Sequence, residues 1–299
     1  MEYSLRELEC FIAVAEELSF TRAAAKLRLA QPPLSRHIRA LEDKLGATLF
    51  DRTGRKVALT AAGAVFFEET RTVLPQLLHA GETTRRFASG AAARLRLGFV
   101  SAVLGPELVD VLRLFRERHP EVQLQVQDCP PAEQLDALRR GTLDGGFVGL
   151  APRERTPGIH FVPWRREPLA AFVPFGHALA ERRQLELREL AGEALVGVSR
   201  EAAPAFAAYL RELCGRAGFR PRLVLESPRA QAVAVMVAAG TGIALLPASL
   251  ARVVGNAAAI VPLRRAPMIA HVFARAAGMP SPAMRQFVAL LTAPPGRRG

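Results

Sequence analysis

Between Leu5 and Leu59 the apolar residues fall into short blocks at helical spacing, each closed by polar punctuation. Leu5, Leu8, Phe11, Ile12 and Ala15 keep one face of a first helix. Ser19 or Thr21 is placed to cap the next helix, since a side-chain oxygen there accepts an orphan amide hydrogen. Ala23, Ala24 and Ala25 keep that second helix slim. In a third block Leu34, Ile38, Leu41 and Leu45 stand at i, i+4, i+7 and i+11, with Pro32 and Pro33 in the first turn, where a missing N–H costs little. Beyond Gly46, Leu49 and Phe50 read as a strand and Val57 to Leu59 as its partner, with Arg52, Thr53, Gly54, Arg55 and Lys56 turning between them. Three helices followed by a basic hairpin make a winged helix-turn-helix.

The polar positions of the third block carry the chemistry. Gln31, Ser35, Arg36 and Arg39 lie off its apolar stripe, toward the end that a recognition helix pushes into the major groove. These side chains suit phosphates and base edges.

From residue 61 to about 87 the pattern changes to one long helix capped by Thr60. Phe66, Val73, Ala80 and Phe87 recur every seven residues with Leu77 between them, a repeat that wants a partner helix. Pro75 removes a hydrogen bond to the carbonyl of Arg71, so a kink is expected near the middle. Ser89, Gly90 and the alanines of 91–93 follow as a hinge. From Arg94 onward strand and helix patterns alternate, which predicts a mainly parallel sheet with covering helices in an α/β domain. In such a domain the strand ends are the places to look for a ligand: Ser101, Ala102 and Val103 after the first strand, Pro130 and Pro131 after the second, and Ser199 and Arg200 after a later one, with Phe206 on the next helix.

Charge sharpens this picture more than composition does. The 299 residues are half hydrophobic and 23% charged, ordinary for globular protein of more than one domain. The net charge of +12 favours a polyanion, and all three lysines (Lys26, Lys44 and Lys56) fall inside the helix-turn-helix window. Cys10, Cys129 and Cys214 are too few and too scattered for a disulfide framework or a paired zinc site. His37, His79, His119, His160, His177 and His271 show no metal-ligand spacing, and no P-loop, G-x-S-x-G or dinucleotide fingerprint is present. Neither an enzyme nor a resident cofactor is expected. The acidic residues near the start interrupt any leader, and the longest apolar run, 232–247, is broken by Gly240 and Gly242; no membrane association and a cytoplasmic location are expected.

The stretch from Leu5 to Gly63, with AQPPLSR opening the third helix, resembles the N-terminal signature of LysR-type transcriptional regulators, most of all those of aromatic-compound catabolism. The resemblance continues more loosely to the C-terminus, with VAAGTGIALLPAS as its most specific stretch. It implies a winged helix-turn-helix over 1–60, a dimerising linker helix and hinge over 61–90, and a two-lobed, periplasmic-binding-protein-like effector domain over 91–299. Gln31, Pro32, Ser35, Arg36 and Arg39 would then face the groove, while Arg52, Thr53 and Arg55 hold flanking backbone. Ser101, Ala102, Val103, Pro131, Ser199, Arg200 and Phe206 align with effector-contacting positions, and Phe66, Val73, Leu77, Ala80 and Phe87 with the dimer helix. Double-stranded promoter DNA, an organic acid or aromatic effector and further copies of the chain up to a tetramer are the implied partners, with RNA polymerase a candidate. Pro131 departs from the hydroxyl residue common at its position, which weighs against a muconate-like dicarboxylate. A redox-sensing regulator of the same family, switching through Cys129 or Cys214, is the alternative.

Overall fold

The computed structural model describes residues 3–52, 57–71, 73–88 and 93–293. The chain divides into two compact units, one of Met1–Ser89 with Arg139–Thr142 and one of Gly90–Leu138 with Leu143–Gly299. The wing-tip residues Thr53 and Arg55, the hinge residues of 89–92 and the side chain of Phe87 lie outside the described part.

In the first unit, helix α1 (Leu5–Glu17) opens with a reciprocal cap in which Ser4 accepts from the amide of Glu7 and Glu7 from that of Ser4. Of the two candidate caps for α2 (Phe20–Lys26), Ser19 is the one used. Helix α3 (Gln31–Leu45) carries both prolines in its first turn and ends on Gly46, whose φ of +63° suits a residue without Cβ. Phe11, Leu34, Ile38, Leu41, Leu49 and Phe50 are fully buried where the three helices meet; Leu5, expected among them, is 44% exposed at the start of α1. The hairpin pairs β1 (Phe50–Asp51) with β2 (Ala58–Leu59), antiparallel. Helix α4 (Ala61–Thr70) then packs against this hairpin at Gly63. A Cβ there would stand 2.0 Å from the carbonyl oxygen of Leu49, so only glycine permits the approach.

One kinked helix was expected over 61–87. The structure instead has two, α4 and α5 (Val73–Ala88), with Arg71 capping the first. The physical reason is Pro75. Restarting the helix at Val73 moves the proline into a first turn, where its missing donor and its ring are tolerated. Phe66 also departs from the seven-residue repeat. It turns into its own head, edge-on to Phe11 at 5.1 Å and to Tyr3 at 5.9 Å. Among the described side chains, Val65, Val73, Leu77 and Leu78 are the large apolar ones left exposed on α4 and α5.

The second unit has two lobes. Strands β3 (Ala93–Phe99), β4 (Val122–Asp128) and β5 (Gly145–Leu150) run parallel in the first, with α6 (Pro106–Arg118), α7 (Pro131–Arg139) and the C-terminal α11 (Pro282–Thr292) beside them. Phe115, Phe147, Phe273 and Phe287 form its core, with ring centroids 5.0–5.5 Å apart in three of the pairs. Strand β6 (Ile159–Pro174) is sixteen residues long and belongs to both lobes. Its first half pairs with β11 (Met268–Ala276), and its second half pairs with β9 (Ala244–Pro247) and β10 (Ala258–Pro262). The second lobe adds the parallel pair β7 (Ala194–Val198) and β8 (Arg222–Ser227), with α8 (Pro204–Arg216), α9 (Ala230–Ala238) and the short α10 (Ala251–Val254). The sheet is therefore mixed, not mainly parallel, because all pairings of β6 and β11 are antiparallel. A continuous strand crossing between lobes needs no covering helix, and alternation of strand and helix patterns misses it.

Candidate functional site

Two regions collect the candidate residues, one in each unit. On α3, Leu34, Ile38 and Leu41 are held in the core, and that anchorage turns the other face outward: Gln31, Pro32, Arg36 and Arg39 are exposed and Ser35 half-buried. Nearby cations divide into two groups. Arg22 and Lys26 are taken up by Glu17, Lys26 also by Glu16, and Lys44 by Glu7 at 2.7 Å. Arg52, expected to hold nucleic-acid backbone, is committed to the fold. Its Nη2 donates to Glu42 Oε2 at 2.7 Å and its guanidinium lies 5.0 Å from the centre of the Phe20 ring. The other oxygen of Glu42 accepts from the amides of Leu49 and Phe50, so one carboxylate ties α3 to the hairpin. By contrast, Arg28, Arg36 and Arg39 have no carboxylate partner among the described residues. Cations left unpaired on one side of a rigid helix suit a polyanion.

Glu7 deserves its own account, because its carboxyl holds the start of α1 and the end of α3 together. The hydrogen bond from Lys44, and then the amide of Ser4, hold it below the usual carboxylate range.

In the second unit a cavity lies between the lobes, with about 560 Å³ of empty space, part of it open to solvent. The first lobe contributes Val100, Ser101, Ala102, Asp128, Cys129, Pro130, Pro131 and Val148 to Leu150; the second contributes Val198, Ala203, Phe206, Pro228, Arg229, Ala230 and Pro247; β11 contributes Ile269 and His271. Of the seven residues expected here, Ser101, Ala102, Pro131 and Phe206 line the cavity. The other three do not. Val103 is buried in the first-lobe core, because a turn of 3-10 helix over Ser101–Val103 rolls it inward. Ser199 donates its amide to the carbonyl of Ser227. Arg200 lines a separate cleft beside α8 and β8, with Glu201, Arg211 and Glu226.

The polar groups that sequence reading missed come from the crossing strands. Glu167 on β6 accepts from His271 Nε2 at 2.5 Å, from Arg165 at 3.1 Å and from the amide of Ser249 at 2.9 Å. Burial raises the Glu167 carboxyl, but the hydrogen bonds from His271 and Ser249 outweigh it and leave the group below its ordinary value. Arg165 and Ser249 both donate to the carbonyl of Ala102 at the cavity wall. Asp128 and Arg229 pair at 2.5 Å across the two lobes. A signal existed in the sequence: His271 is the one strongly polar residue inside the apolar run MIAHVF, and Glu167 directly precedes PLAAFVP. Cys129 and Cys214 are buried, and desolvation pushes both thiols up, away from the reactive thiolate. The redox alternative has no support there.

Comparison with known proteins agrees with both regions. Residues 5–64 match the family model of bacterial regulatory helix-turn-helix proteins of the lysR family, and residues 88–294 match the LysR substrate binding domain. The chain is 35% identical over 245 residues to the HTH-type transcriptional regulator AlsR of Bacillus subtilis, covering 82% of this chain and 80% of that one. It is 34% identical over 247 residues to the regulator BenM of Acinetobacter baylyi, with 82% and 80% covered. The solved structure of full-length CbnR with its target DNA superposes with a TM-score of 0.62 at 28% identity, covering 99% of this chain and all of that one. These relatives are transcriptional regulators, and no helix among the described residues is long and apolar enough to cross a membrane. A helix-turn-helix head whose Arg36 and Arg39 have no carboxylate partner among the described residues, followed by a two-lobed domain with an interlobe cavity and matched by family models over both parts, makes the chain a member of the LysR family of DNA-binding transcriptional regulators with a small-molecule effector domain.

Proposed function

We propose that the exposed face of α3, with Gln31, Pro32, Ser35, Arg36 and Arg39, reads the major groove of a promoter, and that a small organic acid or aromatic compound in the interlobe cavity changes how the heads engage it. The observation that carries the first half is the contrast among the cations: carboxylates neutralise those needed by the fold and leave Arg36 and Arg39 free on one face. Residues 1–60 are assigned to the head, 61–90 to the linker and 91–299 to the effector domain. Val73, Leu77 and Ala80, all exposed on α5, carry the dimer contact, joined by Val65 and Leu78, while Phe66 serves its own head. A second contact between effector domains completes a tetramer. The protein works in the cytoplasm, where its promoter and RNA polymerase are.

The α3 face needs two half-sites about one helical turn, or roughly 10 bp, from centre to centre if paired heads bind together. Sequencing the genomic DNA captured by the full-length protein tests this reading. A shared, interrupted two-fold motif whose footprint alters when cavity ligands are added supports it; captured fragments with no common motif refute it.

A further inference from the structure

His271 on β11 lines the interlobe cavity with its ring. The ring is almost wholly buried and lines the cavity, yet its Nδ1 has no hydrogen-bond partner among the described residues. Its Nε2 is fixed 2.5 Å from Glu167, so rotation does not rescue the other nitrogen. The pairing of β11 slips between His271 and Val272 against β6, an irregularity of the kind that re-aims a side chain, and Gly149 on the neighbouring strand has no side chain to cover the ring. A buried ring nitrogen left unmatched costs free energy that a ligand group recovers.

We propose that His271 Nδ1 is the hydrogen-bonding partner of a monocarboxylic acid with a compact apolar body. This rests on the cavity being the effector site. The walls around the ring are apolar, with Val100, Val148, Phe206 and Ile269. The remaining polar equipment is small. Pro130 and Pro131 remove two amides from the entry to α7, and the amide of Ala132 is already given to the carbonyl of Ala202, so this helix start has little to offer a second carboxylate. The other charged groups beside the ring are ion-paired, Glu167 with Arg165 and also holding the Ser249 amide, Arg165 also with Glu107, and Asp128 with Arg229, while Arg165 Nε, like His271 Nδ1, has no hydrogen-bond partner among the described residues. The acid therefore meets one unpaired ring nitrogen, supported by the hydroxyl of Ser101, and no free cation.

The test is calorimetric titration of the full-length protein with benzoate, with nitrobenzene as a neutral isostere that carries no acid proton, and with adipate as a dicarboxylate. The variants are His271→Gln, which keeps a donor for Glu167 while removing the cavity nitrogen, and Ser101→Ala. Benzoate is expected to bind at least about tenfold tighter than nitrobenzene or adipate, and His271→Gln to remove that preference while nitrobenzene affinity stays within about twofold. A melting curve of His271→Gln that matches the parent excludes misfolding. Equal binding of benzoate and nitrobenzene by the parent, or an unchanged preference in His271→Gln, overturns the assignment and leaves the cavity reading standing. If none of the three probes binds at millimolar concentration, both fall.

Discussion

The α3 face and the interlobe cavity solve opposite electrostatic problems. On α3, Arg36 and Arg39 stand without carboxylate partners among the described residues on a rigid support, an arrangement that suits a polyanion as counter-charge. At the cavity the charges are ion-paired, and of the buried nitrogens of the Glu167 cluster His271 Nδ1 and Arg165 Nε have no partner among the described residues, of which the His271 ring lines the cavity. The first arrangement yields affinity for a long charged lattice; the second yields discrimination among small molecules, because a ligand either completes the His271 nitrogen or fails to.

This contrast is broken most severely by attacking the supports. Phe11→Ala removes a fully buried ring that touches Phe50, Phe66 and Phe67, and is expected to cost the head about 3–5 kcal/mol and abolish duplex binding while the effector unit keeps its own melting transition. A single transition lowered as a whole would mean that the units are not energetically separate. Glu167→Leu does the equivalent damage in the second unit. It strands Arg165 and His271 in a buried site, at roughly 3 kcal/mol, and should lower the effector-unit transition while DNA affinity persists. Calorimetry reads both.

The reading face is sharpened by a pair of arginines. Arg36→Ala should lose about 1–3 kcal/mol of affinity for the specific site with an unaltered melting curve. Arg52→Ala should do the reverse, lowering head stability by up to about 1 kcal/mol, held down because a third of its side chain is in water, with no change in sequence preference. Anisotropy on specific and random duplexes separates them, and equal losses on both duplexes for Arg36→Ala would deny it a reading role.

The smallest effect concerns acid. Because Lys44 and the Ser4 amide hold the Glu7 carboxyl below its unfolded value, Glu7 adds stability above the ordinary glutamate range, about pH 4.3, and that contribution disappears as pH falls through the depressed value. Lys44→Met should flatten this part of the head's stability profile. An identical acid profile in parent and variant would show that the pair contributes nothing.

The same contrast explains what the sequence disclosed. Every element of the α3 face is local: the stripe of Leu34, Ile38 and Leu41, the prolines of the first turn and the arginines between them lie within one helix, so periodicity finds them. The cavity is assembled from partners far apart in the chain. Glu167 and His271 are 104 positions apart, and Asp128 and Arg229 are 101. Ser101 and Phe206 were legible because strand ends and helix starts mark themselves with turn residues, whereas Arg200, two residues beyond its strand end, faces a different cleft. The mixed sheet was hidden for a related reason. PLAAFVP reads as an independent strand, and nothing in the alternation of IHFVPWRRE shows that the two are one ladder partner of β11 and β9.

The restart of the helix at Val73 has a mechanical consequence. Because α4 is packed on the hairpin at Gly63 and on Phe11 through Phe66, and Leu74 of α5 packs on the same core, both helices are anchored to the head, and the exposed row of Val73, Leu77 and Leu78 proposed to hold a second copy is carried on that anchorage.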